Sequence, residues 1–235
     1  HDFINNDNEA SDDNGHGTHV AGIIAARDDA YGVVGVAPGA QLYAVKVLDR
    51  SGSGSFSQII AGIDWVAGRK TANSETPMVA NMSLGAVVYY TGYNELDKAV
   101  KGAIAKGVVF TLAAGNESVN ANICSPAHVT EAITVGAYDS GMNFAYFSNY
   151  GNIVDLNAPG VSIYSTYKGG VYATKSGTSM AAPHVAGTAA LYLSQHPNDD
   201  PAAVLTALES AAEGSGLSVI SSVTVTNLSV YAGTF

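Results

Sequence analysis

A single cysteine, Cys124, stands among 235 residues, so no disulfide can form within the chain. That count suits a reducing interior and an exported bacterial protein alike and leaves the compartment open. Charge is also scarce: 13% of residues are Asp, Glu, Lys or Arg, with 20 acids against 10 bases. Lacking a cationic footprint, the chain is not expected to have a nucleic-acid partner. No run approaches the roughly 20 apolar residues that cross a bilayer, so no membrane partner is expected either. There is no signal peptide, and the first residue is His1. The chain is therefore expected not to be a complete translation product, with targeting segments removed ahead of it. Internal repeats, low-complexity tracts and Pro- or Ser-rich linkers are missing too, which points to one large domain over residues 1–235.

What is present is a regular alternation of short apolar runs and helical patterns. Strands are expected at Gln41 to Leu48 and within "PMVANMSL", "GVVFTLAAGN", "AITVGA" and "IVDLNAPG". Helices are expected over Ser55 to Gly68, Glu95 to Lys106, Thr178 to about Gln195, and Pro201 to about Ala212. The segment "VSIYSTYKGGVYATKSG" alternates about Lys168-Gly169-Gly170 and reads as an antiparallel hairpin. Strands alternating with helices imply an α/β fold, a mostly parallel twisted sheet with helices on both faces. In such sheets, sites lie beyond the carboxyl ends of the strands.

Three polar, glycine-rich segments fall there. In "NGHGTHVAG" (residues 14–22), Gly15 and Gly17 flank His16 at a helix entrance, with apolar residues recurring behind it. His19 reads as a packed histidine. A zinc site is not indicated, because His-x-x-His lacks the i,i+4 spacing and the internal glutamate of a metalloprotease helix. In "SGTSMAAPHVAG" (176–187), Ser179 opens a helix of small residues, where a hydroxyl meets free N–H groups and the positive end of the dipole. Such a serine is either a nucleophile beside oxyanion donors or a simple cap. In "TLAAGNES" (111–118), Asn116 projects beyond a strand, as an oxyanion donor or as a turn residue. Sequons occur at Asn81, Asn116 and Asn227, and glycosylation is not expected, Asn81 lying in the strand run "PMVANMSL" and Asn116 in the last of these segments.

Taken in order, "DDNGHGTHVAGIIAA", "GVAPGAQLYAVKVLDRSGSGSFSQIIAGIDW", "ANMSLG", "AAGN", "FSNYG", "APGVSIYST" and "GTSMAAPHVAG" resemble the subtilisin-like serine proteases, nearest their proteinase K and thermitase-like branches. The resemblance runs from residue 2 to about residue 212. It implies a three-layer subtilisin-like domain and a serine endopeptidase working on polypeptide substrates. Ser179 would be the nucleophile, His16 its general base, and Asn116 an oxyanion donor beside the Ser179 N–H. Ser83, Leu84 and Gly85 would pair with the substrate backbone as an added strand, and with Ala113, Ala114 and Gly115 would wall the S1 pocket. Ser51 to Ser55 would form the opposite rim. The walls are small and apolar, with no acid placed to hold a basic side chain, so an apolar or aromatic P1 residue is expected. Cys124 falls near the closed end of that pocket and reads as a buried small hydrophobe. An esterase of the α/β-hydrolase type is excluded: Ser179 lies in no G-x-S-x-G turn, and His16 precedes it.

The family's third catalytic member is an aspartate in a D-[ST]-G turn ahead of the histidine, and no D-[ST]-G occurs in this chain. Asp2, Asp7, Asp12 and Asp13 are candidates by position only, and the turn that holds Asp12 and Asp13 leads directly to His16. The domain is therefore expected to be N-terminally incomplete, with its acid supplied by an N-terminal fragment or absent. Activity of the chain alone would then be impaired, or the chain would be a non-catalytic binding module. The resemblance further implies a propeptide and a secreted or periplasmic location. It also implies structural Ca²⁺: one site at Asp2, Asn5 and Asp7 with carbonyls near Glu9 and Ser11, and a second at Asp29 with carbonyls of Arg27, Tyr31 and Val33. Asn5 stands where that first loop usually offers a carboxylate. The alternative for this stretch is a solvated acidic turn.

Overall fold

The computed structural model describes residues 1–90, 92–214, 226, 228–230 and 233. In chain order the elements are α1 (His16–Ala25), α2 (Phe56–Ala72), β1 (Met78–Met82), β2 (Ala86–Val87), α3 (Glu95–Ile104), β3 (Val108–Ala113), β4 (Cys124–Ser125), β5 (Ile133–Tyr138), β6 (Leu156–Pro159), β7 (Ile163–Tyr167), β8 (Val171–Lys175), α4 (Thr178–Gln195), α5 (Pro201–Ala211), β9 (Glu213–Gly214) and β10 (Leu228–Ser229). Among the described residues, six strands form one sheet in the order β1-β3-β5-β6-β10-β9, parallel except for the β10–β9 pair.

Every residue of β3 and β5 is buried, as a sheet covered on both faces requires. The side chains of β3 alternate between two cores. Val109 joins Ile133, Val135 and Leu156 beneath Ala182, Val185 and Ala189 of α4 and Val204 and Leu208 of α5. Val108, Phe110 and Leu112 face the other way, onto Ile59 and Ile63 of α2 and Leu96 and Val100 of α3. Local chemistry sets the helix starts. Ser55 and Gln58 form a reciprocal capping box for α2, and Asn94 and Asp97 form one for α3. Asp200 caps α5, with Pro201 at its first position.

The helices and the β7–β8 hairpin fall where the periodicity places them, and α4 spans Thr178–Gln195 as expected. Gln41 to Leu48 is different. It is extended but not a strand, and it makes one isolated parallel bridge, Lys46 to Asp2. A strand needs a ladder, and among the described residues the facing His1–Phe3 segment gives it three bonds: Phe3 N–H to Lys46 O, Lys46 N–H to His1 O and the His1 ammonium to Ala44 O. Leu42 and Tyr43 consequently stay about half exposed.

Because β1 and β3 are parallel neighbours, with Met82 opposite Leu112, their carboxyl ends open side by side. Ser83–Gly85 leaves one, and Ala114–Asn116 leaves the other. α4 packs across β1, β3, β5 and β6 and brings its N-terminus to the same edge.

Candidate active site

Asn116 is fixed by the first turn of α4. Its Oδ1 accepts from the Thr178 N–H (2.8 Å) and from the Thr178 hydroxyl (3.0 Å). That hydroxyl accepts in turn from Gly115 N–H at 3.1 Å. With the amide oxygen bound twice, the exposed NH₂ group of Asn116 is directed outward. Gly115 permits this bend: its φ is +106°, and a Cβ there would lie 2.2 Å from Asn149 Nδ2. Asn149 is buried and accepts from Glu117 N–H and Val119 N–H while donating to Ala114 O, so the loop carrying Asn116 is braced from below.

Ser179 lies one residue on, partly exposed at the head of α4. Its Oγ donates to Ser83 O at 3.3 Å, a long bond that holds the hydroxyl weakly. In the other direction, Ser83 Oγ donates to Ser179 O at 2.8 Å and accepts from Asn81 Nδ2 at 2.9 Å. The end of edge strand β1 is thereby tied to the start of α4.

Beside these residues opens a cleft of about 170 Å³. Leu84, Gly85, Ala113, Ala114, Gly115, Asn116 and Ser179 all line it, and Ser83 adjoins it through Ser179. Cys124 lines it as expected, and the structure adds Ser125, Ala127 and Glu117 to its walls. Glu117 puts an acid in the lining, where none was expected to be placed to hold a basic side chain. Its Oε2 is committed to Asn116 N–H (2.9 Å) and Asn149 Nδ2 (2.8 Å), which turns one carboxylate oxygen into the loop. Its position next to Asn116 was the available signal. Ser125, by contrast, arrives from β4 with no local signal in the sequence. Cys124 is buried, and burial followed by repulsion from Glu117 pushes its thiol up to about 11, so it packs as a small hydrophobe.

His16 begins α1, half-buried, after Gly15 at φ +103°, where a Cβ would meet the Tyr167 ring at 2.3 Å. α1 packs on α4 through Val20, Ile23 and Met180. Burial, then the Lys175 and His19 charges, hold the His16 pKa below its ordinary value, against an opposing pull from Asp12. Among the described residues no hydrogen-bonding carboxylate reaches the ring. Asp12 is a helix cap. One of its oxygens accepts from Asn14 N–H and Gly15 N–H, the other from Thr18 N–H and Thr18 Oγ1. Asp13 pairs with Lys46. His19 is fully buried, its Nε2 directed at Ile163 O and Ala173 O, so it locks α1 to the hairpin and is not a ligand.

The expected calcium loop is arranged differently. Asp2 is buried and accepts from Ile4 N–H, Asn5 N–H and Asn5 Nδ2, and it pairs with the Lys46 ammonium at 3.2 Å. Lys46 also donates to Ser11 O, one of the expected ligand carbonyls. Asp7 turns back to Glu9 N–H, and Asp29 to Tyr31 N–H. Among the described residues no three His, Cys, Asp or Glu side chains gather as metal ligands. These donors do not fit a calcium cage: a lysine already supplies the cation, and the carboxylates point to main-chain amides.

Residues 1–229 match the family model described as the Subtilase family. The chain is 46% identical over 217 residues to subtilisin DY of Bacillus licheniformis, covering 91% of this chain and 76% of that protein. It is 50% identical over 204 residues to alkaline serine exoprotease A of Vibrio alginolyticus (87% and 36%). It is 49% identical over 208 residues to subtilisin NAT of Bacillus subtilis subsp. natto (87% and 52%), so it spans about half of that relative. The crystal structure of a cold-adapted subtilisin-like serine proteinase superposes with a TM-score of 0.88 at 45% identity, covering 99% of this chain and 80% of that one. With the family model, the relatives and the fold in agreement, the chain belongs to the subtilase family of proteolytic enzymes.

Proposed function

We propose that this chain carries the nucleophile, general base and oxyanion donors of a serine endopeptidase that cleaves polypeptides through an acyl-enzyme. Ser179 Oγ attacks the scissile carbonyl, and His16 takes its proton and returns it to the leaving amine. The outward NH₂ of Asn116 and the Ser179 N–H, at the positive end of α4, hold the oxyanion. The substrate backbone adds as a strand beside Ser83–Gly85, which continues an edge strand. Its P1 side chain enters the adjoining cleft, whose lining of Leu84, Ala113, Ala114 and Ala127 favours apolar or aromatic groups. The observation that carries the reading is the double anchoring of Asn116 Oδ1 by Thr178, because it aims a donor beside a serine at a helix head.

The carboxylate that orients His16 is, in this reading, supplied by a segment outside the described residues, an N-terminal fragment or propeptide-linked piece. Loss of that acid lowers turnover by about ten-thousandfold in the triad template while leaving residual catalysis. Export, to the exterior or the periplasm, follows from the family resemblance. A second reading, a non-catalytic subtilase-fold module, rests on the His16 ring having no carboxylate partner among the described residues. Hydrolysis of peptide anilides by the full gene product separates the two. The protease reading expects turnover with phenylalanine at P1 that disappears in Ser179→Ala, and turnover that persists in Ser179→Ala overturns it.

A further inference from the structure

Behind the cleft lies a buried polar cluster that no step above uses. Asp97 on α3 is fully buried, as are Ser125 (1% exposed) and, nearly so, His128 (5%). Both oxygens of Asp97 are engaged. Oδ1 accepts from Ser125 Oγ at 2.6 Å, while Oδ2 accepts from Asn94 N–H at 2.8 Å and faces His128 Nε2 at 2.9 Å. Ser125 Oγ also accepts from Asn94 Nδ2 at 2.9 Å, and His128 Nδ1 lies 3.1 Å from Asn122 O. Capping α3 requires only the bond to Asn94 N–H, so the bonds to Ser125 and His128 serve something else.

Ser125 lines the cleft, and His128 follows the lining residue Ala127 directly in sequence. Cys124–Ser125 pairs antiparallel with Ala86–Val87, and Ala86, Cys124, Ser125 and Ala127 line the cleft. His128 N–H donates to Cys124 O, closing a turn around the same wall. Burying a carboxylate costs several kcal/mol unless donors surround it. Here Asn94 N–H comes from the start of α3, Ser125 Oγ from the wall itself and His128 from the turn that follows it, so Asp97 ties the wall to α3 on both sides of Pro126 and Ala127. We propose that Asp97 is a positioning residue for substrate selection, holding the Cys124–Ala127 wall of the cleft at a fixed distance from Ser179 through Ser125 and His128. It touches no substrate, and this role rests on the endopeptidase reading above.

The test uses Asp97→Asn, which keeps the shape but turns one acceptor into a donor. Val204→Ala, in the distant α5 core, serves as a control for general loss of stability. Cys124 is the only thiol and sits in the wall, so its labelling rate with a disulfide reagent in the folded protein reports wall opening without requiring catalysis. The expected result is labelling about tenfold faster in Asp97→Asn and within about twofold of wild type in Val204→Ala, as local opening predicts. In the full gene product, selectivity for Phe over Ala at P1 is expected to fall about fivefold through KM, with kcat within about twofold. Should Asp97→Asn not fold, His128→Leu is expected to label about threefold faster, because it removes the His128 Nε2 partner of Asp97 Oδ2 and leaves the Ser125 bond in place. Labelling in the Asp97 or His128 variant no faster than in Val204→Ala overturns the proposal. So does unchanged P1 selectivity in Asp97→Asn. A wild-type enzyme that cleaves nothing overturns the endopeptidase reading instead, and the labelling arm still decides whether Asp97 holds the wall.

Discussion

Thr178 holds the side chain of Asn116 with two hydrogen bonds to one oxygen, across a separation of 62 residues in sequence. In the proposed mechanism the helix that presents the nucleophile also orients the oxyanion donor, so a disturbance at Thr178 would reach both. Asn116→Ala is expected to lower kcat by about 10²–10³ with little change in KM, because the donor acts only on developing charge. Thr178→Ser keeps both bonds and should stay close to wild type. Thr178→Val loses the hydroxyl, leaves Gly115 N–H without its acceptor, and is expected to lower kcat by about tenfold. Steady-state kinetics on the full gene product read all three.

The pH dependence of turnover tests the environment of His16. Burial and then the Lys175 charge hold its pKa below the ordinary value, since each disfavours the imidazolium. Removing the charge with Lys175→Gln relieves part of that penalty and raises the His16 pKa. The acid limb of kcat/KM against pH is therefore expected to move toward higher pH. A limb that stays in place, or moves down, contradicts the assignment of His16 as the base.

Asp155 makes a stability prediction with a definite sign. Burial, opposed by its bond from Thr134 N–H and reinforced by Glu209, pushes its carboxyl up to about 7. A group whose folded pKa is raised above its unfolded value stabilises the fold while protonated, and this contribution is lost as pH rises through the window from the ordinary carboxylate range to about 7. Asp155→Asn retains an acceptor for Thr134 N–H and removes the charge. It is expected to raise Tm at pH 8 by about 3–6 °C, corresponding to about 1–2 kcal/mol, and to have little effect at pH 4. Melting curves at the two values decide the matter.

The Lys46–Asp2 pair concerns the N-terminal loop. Lys46→Met removes the cation beside a buried carboxylate that keeps its bonds from Ile4 N–H, Asn5 N–H and Asn5 Nδ2, and is expected to destabilise the chain by about 1–3 kcal/mol, read from denaturant melts. Because the lysine supplies the loop's cation, calcium and a chelator should leave the wild-type chain's Tm equal within about 1 °C. A clear rise with calcium would show that the loop rearranges into a cage.

Much of this could be read from residue order alone, and the exceptions have a common cause. α4 and the β7–β8 hairpin are written in local periodicity and turn residues, and the structure places them where the sequence does. The cleft-lining residues around Leu84, Ala113 and Ser179 came from motifs whose strand-end positions follow from a parallel sheet. Gln41 to Leu48 has the apolar pattern of a strand, but strand formation depends on the partner, which local sequence does not state. Glu117, Ser125 and the Asp97–His128 pair escaped notice because their roles arise from contacts between elements far apart in the chain. The acidic loop is a related case: its acids are conspicuous in sequence, while the lysine that pairs with Asp2 lies 44 residues on in the numbering.

The central claim is that Ser179 is an activated nucleophile, and the most direct measurement is covalent labelling of the full gene product with a serine-directed phosphonate. One equivalent of adduct, mapped to Ser179 by peptide mass and absent from Ser179→Ala and His16→Ala, is the predicted result. No adduct at Ser179, or an adduct formed equally fast without His16, contradicts it.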